Sequence, residues 1–222
     1  MKNPSNLEFK KKFDSIAENY DNISNPYAVK RRAESLKLST SGLILEVGSG
    51  TGIMTQSISN SVICTDISFE MCKQTRIRCP SVVCCDAEML PFKENVFDGI
   101  ISAEMIYYLR NPENFISYSH KILKKGGKLV ISMANQDMLI IDKFRSWLRH
   151  LGMHRTYFDD GVREFMKLQR LEFLLRKNNF KISSVEKRVI FPFTSFDRIN
   201  RVLENTHLNA FGIFIVIKAT AE

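Results

Sequence analysis

The 222-residue sequence contains no run of apolar residues near the roughly 18–20 that a membrane-spanning helix needs, so no transmembrane segment is expected. Residues 1–12 are polar and lack the apolar stretch of a secretory leader, which argues for a cytoplasmic protein. The five cysteines, Cys64, Cys72, Cys79, Cys84 and Cys85, show neither the CxxC spacing of a zinc site nor the spread of a disulfide framework. They read as reduced thiols used in packing, and no metal is expected. Internal repeats and low-complexity linkers are also absent, and the length is short for two full domains. One domain over residues 1–222 is the economical organisation.

What is present is ordinary in total and uneven in placement. Apolar residues make up 44% and charged residues 25%, which excludes a disordered chain or a coiled-coil rod. The net charge is +8, yet residues 41–135 carry nine Lys/Arg and nine Asp/Glu, whereas residues 142–188 carry twelve and six. The later segment is therefore basic beside a neutral core. Such a segment suits an acidic or phosphorylated small molecule, nucleic acid or a membrane surface, or is simply a solvated helix face.

Short apolar, β-branched-rich runs at residues 43–47, 61–65, 81–85, 97–102 and 128–133 read as buried strands, each ending in polar or small residues. Segments of helical spacing lie between them at 53–59, 70–78 and 112–123. Alternation of this kind predicts an α/β fold with a doubly wound, mostly parallel sheet that binds ligands beyond the carboxyl ends of its strands. After Met133 the pattern changes to helices at 137–151 and 162–177, then strands at 181–190 and 211–218 around a helix near 196–204. Residues 1–40 are expected to form an N-terminal helical lid, and 137–178 a helical cover inserted in the same domain.

The chemistry concentrates where the first strand turns into a helix, at Glu46-Val47-Gly48-Ser49-Gly50-Thr51-Gly52. Dinucleotide sites use G-x-G-x-x-G to seat a pyrophosphate, whereas the spacing here is G-x-G-x-G. Glu46 also adds a carboxylate near a pocket that would otherwise take an anion. A ligand with a cationic amino group and no phosphate suits these residues better. Asp66 ends the second strand, where a carboxylate can accept from both ribose hydroxyls, a feature shared by nicotinamide and adenosyl cofactors. Asp86 ends the third, where it can accept from an adenine amino group.

With these residues the chain resembles the class I S-adenosylmethionine-dependent methyltransferases, in particular the small-molecule group that includes the ubiquinone/menaquinone-biosynthesis enzymes. Residues 13–21 resemble that family's N-terminal lid; residues 45–52, 65–71 and 86–92 resemble its first three motifs; and residues 97–102 and 122–127 resemble those around strands 4 and 5. The resemblance implies a Rossmann-like seven-stranded sheet of order 3-2-1-4-5-7-6 with strand 7 antiparallel, and S-adenosyl-L-methionine as cofactor. It implies that Gly48, Ser49, Gly50 and Gly52 approach the methionine portion, Asp66 the ribose, Ile67 and Met71 the adenine face, and Asp86 with Ala87 the adenine edge. Ser102 would lie near the methionine end, and Tyr20 would close over the cofactor.

The sequence also departs from relatives. The G-x-H-R-x-W-K pattern of the quinone enzymes is missing after Tyr20-Asp21, which counts against a quinone acceptor. Ala103-Glu104-Met105-Ile106 replaces the Asn/Asp-Pro-Pro-aromatic motif of amino-directed DNA methyltransferases, and no Pro-Cys follows strand 4. The expected function is therefore methyl transfer to an O or N atom of a small-molecule acceptor, with His154 a candidate base beside Tyr157. Tyr27, Tyr107 and Tyr108 are candidates to line the acceptor pocket, and Tyr108 a candidate catalytic group. A methyltransferase acting on RNA or protein, and an NAD(P)-dependent oxidoreductase, are the competing readings.

Overall fold

The computed structural model describes residues 6–38, 42–58, 61–138, 165–189, 191 and 193–222. Local capping chemistry sets where several helices begin. Helix α1 (Asn6–Ile16) is followed by the short α2 (Tyr20–Ile23) and by α3 (Pro26–Ser35). The Asn25 side chain caps α3 by accepting from the Ala28 N–H at 3.0 Å, and Pro26 fills a first-turn position where its missing N–H leaves no bond unmade. Helix α4 (Phe69–Arg76) is capped by Ser68 Oγ, which accepts from the Met71 N–H at 3.1 Å. Asn111 and Pro112 open α5 (Pro112–Ile122) in the same manner as α3.

The strands are β1 (Ile44–Val47), β2 (Val62–Asp66), β3 (Val82–Cys84), β4 (Phe97–Ala103), β5 (Leu123–Ala134), β6 (Phe180–Arg188) and β7 (Phe214–Ala221). They form one sheet in the order β3-β2-β1-β4-β5-β7-β6, with β7 antiparallel to both neighbours. This is the topology the resemblance implied. Helix α6 (Leu168–Lys177) precedes β6, and α7 (Asp197–Leu203) lies between β6 and β7.

Strand alternation divides the core between the two faces. Leu45, Val47, Ile100, Leu129 and Ile131 pack with Phe115 and Ile116 of α5 and Leu171 and Leu175 of α6. Ile44, Ile101, Val130 and Val216 pack on the other face with Tyr27, Leu36 and Met54. Each such fully buried side chain contributes ~1.5–3 kcal/mol. The strand order reverses between β1 and β4, so their carboxyl ends diverge and leave a crevice.

Several boundaries differ from the sequence expectation. The helix expected at 53–59 is only a 3-10 turn at Thr55–Ser57, because Gly52 is left-handed (φ +76°) and the Thr55 hydroxyl is committed to Glu46. Strand β5 starts before Gly126-Gly127, since Leu123 already pairs with Phe97. Helix α6 begins at Leu168 rather than at 162, and Phe211 closes a 3-10 turn instead of opening β7. Most of the helix expected at 137–151 lies outside the described residues.

A buried ion cluster joins the N-terminal lid to the end of the chain. The Glu204 carboxylate accepts from Arg31 at 2.5 Å, Arg188 at 3.0 Å and the Val189 N–H at 2.8 Å. Tyr27 belongs to the same junction, where it bonds Asp197 and Asn200. Its hydroxyl is thereby a structural link, and Tyr27 is not among the residues lining the cleft at the sheet edge.

Candidate functional site

The turn after β1 is built around left-handed glycines, Gly48 at φ +71°, Gly50 at +56° and Gly52 at +76°. A Cβ at Gly48 would lie 2.5 Å from Met105 Cγ, and one at Gly52 would lie 3.3 Å from the Thr75 Cα. Only glycine meets both demands of conformation and space. The Gly50 N–H donates to Asp66 Oδ2 at 2.8 Å, and the Ser68 N–H to Asp66 Oδ1 at 2.9 Å. Thr75 Oγ1 and Arg78 Nη1 then hold the Gly50 and Thr51 carbonyls. Asp21 of α2 closes the loop from above by accepting from Thr51 Oγ1 at 2.5 Å and Arg78 Nη2 at 2.6 Å.

Helix α1 lies over this edge. Its Asp14 accepts from Ser68 Oγ at 2.6 Å and from the Glu70 N–H at 3.2 Å, adding a carboxylate at the positive N-terminus of α4. Asn6 donates to Asp86 Oδ2 at 2.8 Å, while Asp86 Oδ1 accepts from the Glu88 N–H at 2.9 Å. Phe9 and Phe13 meet the Tyr108 ring edge-on, at 5.3 and 5.2 Å between centroids. A cleft open to solvent remains between lid and sheet edge.

Tyr20, Gly48, Gly50, Asp66, Ile67, Met71, Asp86, Ala87 and Tyr108 all line this one cleft. Four expected residues stand behind it. Ser49 hydrogen-bonds Thr75, and Gly52 packs on the same threonine. Ser102 is fully buried in the sheet, and its hydroxyl has no hydrogen-bond partner among the described residues. Glu46 is buried against Thr55 and Cys64, because strand alternation turns it away from the face shared by Leu45 and Val47. His154 and Tyr157 lie outside the described residues.

Burial sets the protonation of the two inner carboxylates. Asp66 rises to about 6 through desolvation, partly countered by its backbone hydrogen bonds, and Glu46 rises to about 7 through desolvation. For Glu46 the unfolded chain ionises from about 4.5 while the folded chain stays protonated to about 7. Stability is therefore full at low pH and falls across that window, by ~3 kcal/mol at ~1.4 kcal/mol per pH unit. Glu46→Gln should flatten this part of the profile. In denaturant titrations at pH 5 and pH 8, the variant's loss of stability on going to the higher pH should be smaller than that of the wild type.

Glu104 was visible in the sequence only as a departure from a DNA-methyltransferase motif. It follows β4 with φ +55°, unusual for a residue with a side chain, and it lines the cleft. Its carboxylate accepts from Tyr107 Oη at 2.8 Å and Ser132 Oγ at 3.1 Å, and pairs with Arg32 Nε at 3.1 Å. Its place at a strand's carboxyl end was the available signal. Among the described residues, the cleft is lined by four carboxylates, Asp66, Asp86, Glu88 and Glu104, and by no Lys, Arg or His.

Residues 45–131 match the methyltransferase domain family. An uncharacterized protein of Methanocaldococcus jannaschii is 34% identical over 86% of this chain and 89% of its own length. A demethylmenaquinone methyltransferase of Tropheryma whipplei is 24% identical over 87% of this chain and 92% of its own. A solved structure described as an S-adenosylmethionine-dependent methyltransferase and possible histamine N-methyltransferase, from Thermotoga maritima, superimposes with a TM-score of 0.76 at 21% identity. It covers 96% of this chain and 100% of that one, and shares its fold.

Proposed function

The chain belongs to the methyltransferase domain family, and we propose that it transfers the methyl group of S-adenosylmethionine to an oxygen or nitrogen of a small-molecule acceptor. The observation that carries this reading is the commitment of the glycine turn to Asp66. The Gly50 N–H, which a pyrophosphate would need, already donates to that carboxylate, and the surrounding carboxylates repel an anion. An uncharged nucleoside attached to a zwitterionic amino acid whose sulfonium makes it net positive fits this lining better than a pyrophosphate does. Asp66 would use lone pairs beyond its bonds to the Gly50 and Ser68 N–H groups for the ribose hydroxyls, Asp86 would meet the adenine edge, and Ile67 with Met71 its face; that all four line one cleft supports this reading. Among the described residues, a Cβ at Gly50 would meet the Tyr20 ring at 3.9 Å and nothing nearer, which leaves room for the cofactor chain.

Bound there, S-adenosylmethionine would supply an electrophilic methyl carbon on a positively charged sulfur, to be taken by a lone pair of the acceptor as the S–CH3 bond breaks, with the acceptor's proton passing to solvent. The chain's own contribution would be to hold the reactants side by side against an apolar wall. Phe9, Phe13 and Tyr108 form an apolar wall on the lid side, and their enclosure favours displacement through proximity and desolvation. The cleft's charge favours a neutral or cationic acceptor over the acidic or phosphorylated one suggested by the basic segment.

Calorimetry with S-adenosylhomocysteine and NAD tests the cofactor. Micromolar binding of the former and none of the latter is expected; the reverse would sink the proposal and favour the oxidoreductase alternative. A steep salt dependence of RNA binding would favour the reading as an RNA methyltransferase instead.

A further inference from the structure

Two of the cleft's four carboxylates have a role in seating the nucleoside, Asp66 for the ribose and Asp86 for the adenine edge. Glu88 is engaged by the Arg110 N–H at 2.5 Å. Glu104 follows a different strand, β4, and adjoins Met105, whose side chain packs over Gly48 at the turn after β1. Its left-handed backbone is a strain that the surroundings must sustain, and such strain concentrates where a side chain has to be delivered to a ligand. The support is extensive. Arg32 reaches it from the lid while lying 5.0 Å from the Phe214 ring, Ser132 reaches it from β5, and Tyr107 from the turn after β4.

That support leaves capacity for a ligand. A carboxylate has about four acceptor positions; the Tyr107 and Ser132 hydroxyls fill two, and Arg32 faces it as an ion pair. The side chain retains 15% of its exposure, at the cleft. Beside it stand Met105 and Tyr108, the latter packed against Phe9 and Phe13; aromatic faces of this kind attract cations and seat apolar skeletons. An acidic acceptor would meet carboxylates without a compensating cation among the described lining residues. A nitrogen bearing hydrogens satisfies both the carboxylate and the rings.

Resting on the methyltransferase reading, we propose that Glu104 receives the methyl acceptor and that the acceptor is an amine on an aromatic or apolar skeleton. Glu104 accepts an N–H of the acceptor nitrogen and holds it at the β4 end of the cleft, while Arg32 orients the carboxylate; the amine reacts as the free base after giving a proton to solvent, its lone pair forming the N–CH3 bond as the S–CH3 bond breaks.

The test uses the full chain saturated with S-adenosylhomocysteine, titrated calorimetrically with 2-phenylethylamine, 2-phenylethanol and phenylacetic acid, three probes of similar skeleton. Transfer of radiolabelled methyl from S-adenosylmethionine to the same probes is measured in parallel. The amine is expected to bind and be methylated in preference to the alcohol and the acid. Glu104→Gln should weaken amine binding and raise its KM at least tenfold, with S-adenosylhomocysteine affinity changed by less than about twofold. Preference for the alcohol or the acid, absence of amine binding to the loaded protein, or an unchanged amine KM in the variant would each overturn the proposal. Failure of S-adenosylhomocysteine itself to bind would instead remove the methyltransferase reading on which it rests.

Discussion

Replacing Asp66 with Asn is expected to weaken S-adenosylhomocysteine binding by about 100- to 1,000-fold while leaving the fold intact. The substitution keeps the shape but not the bonding. Both carboxylate oxygens accept backbone N–H groups, Gly50 at 2.8 Å and Ser68 at 2.9 Å. An amide has one acceptor oxygen, so its NH2 group must face one of these donors. Either the glycine turn or the start of α4 is then displaced from the cleft. Losing charge-assisted bonds to the ribose, each worth ~1.5–3 kcal/mol, adds to the cost of that displacement. Calorimetry gives the affinity, and an unchanged far-UV circular dichroism spectrum with a cooperative urea transition verifies the fold.

The same carboxylate carries a pH signature. Burial lifts Asp66 to about 6, so the free protein holds a growing fraction of neutral acid as pH falls through that value. Ribose hydroxyls donate best to the ionised form. Affinity of the wild type is expected to rise from pH 5 to pH 7.5, by up to about tenfold per pH unit below the midpoint. Asp66→Asn should lose this dependence. An affinity within threefold of wild type, with the pH dependence retained, would show that Asp66 does not contact the ligand.

The parts legible in sequence are those in which local backbone chemistry and sheet geometry decide position. Gly48, Gly50 and Gly52 follow a short buried strand, Asp66 ends the next and Asp86 lies two residues beyond the third, so a parallel sheet delivers them to one edge, where all but Gly52 line the cleft. Glu46 shows the limit of reading adjacency as proximity. It is two residues from Gly48, but the pleat sends it to the opposite face from Val47, against Thr55 and Cys64. The period of two already contained that result. Glu104 could not be appreciated in the same way, since its interest arises from a left-handed backbone and from Arg32, which precedes the whole sheet in the chain. The lid aromatics Phe9 and Phe13 likewise gain meaning only by their contact with Tyr108.

Arg32 also makes the site dependent on a distant junction, which the second large prediction addresses. Glu204→Ala is expected to destabilise the folded protein by ~3–5 kcal/mol, because it removes one partner of a buried charge cluster and leaves the others uncompensated. The Glu204 side chain is 1% exposed and neutralises Arg31, itself only 5% exposed, as well as Arg188. It also accepts from the Val189 N–H, at a residue held at φ +58°. Glu34, Asp197 and Glu186 remain near these arginines but lie at the wetter rim, where ion pairs are worth less. Removing both partners should be milder: Arg31→Met with Glu204→Leu is expected to recover most of the loss measured in urea for Glu204→Ala. Arg31 and Arg32 are consecutive on α3, so loosening the first from α7 and its C-cap Glu204 displaces the second from Glu104. Glu204→Ala should therefore impair amine binding to the loaded protein at temperatures well below its melting transition. A variant that melts within 2 °C of the wild type would show that the cluster contributes neither stability nor support to the site.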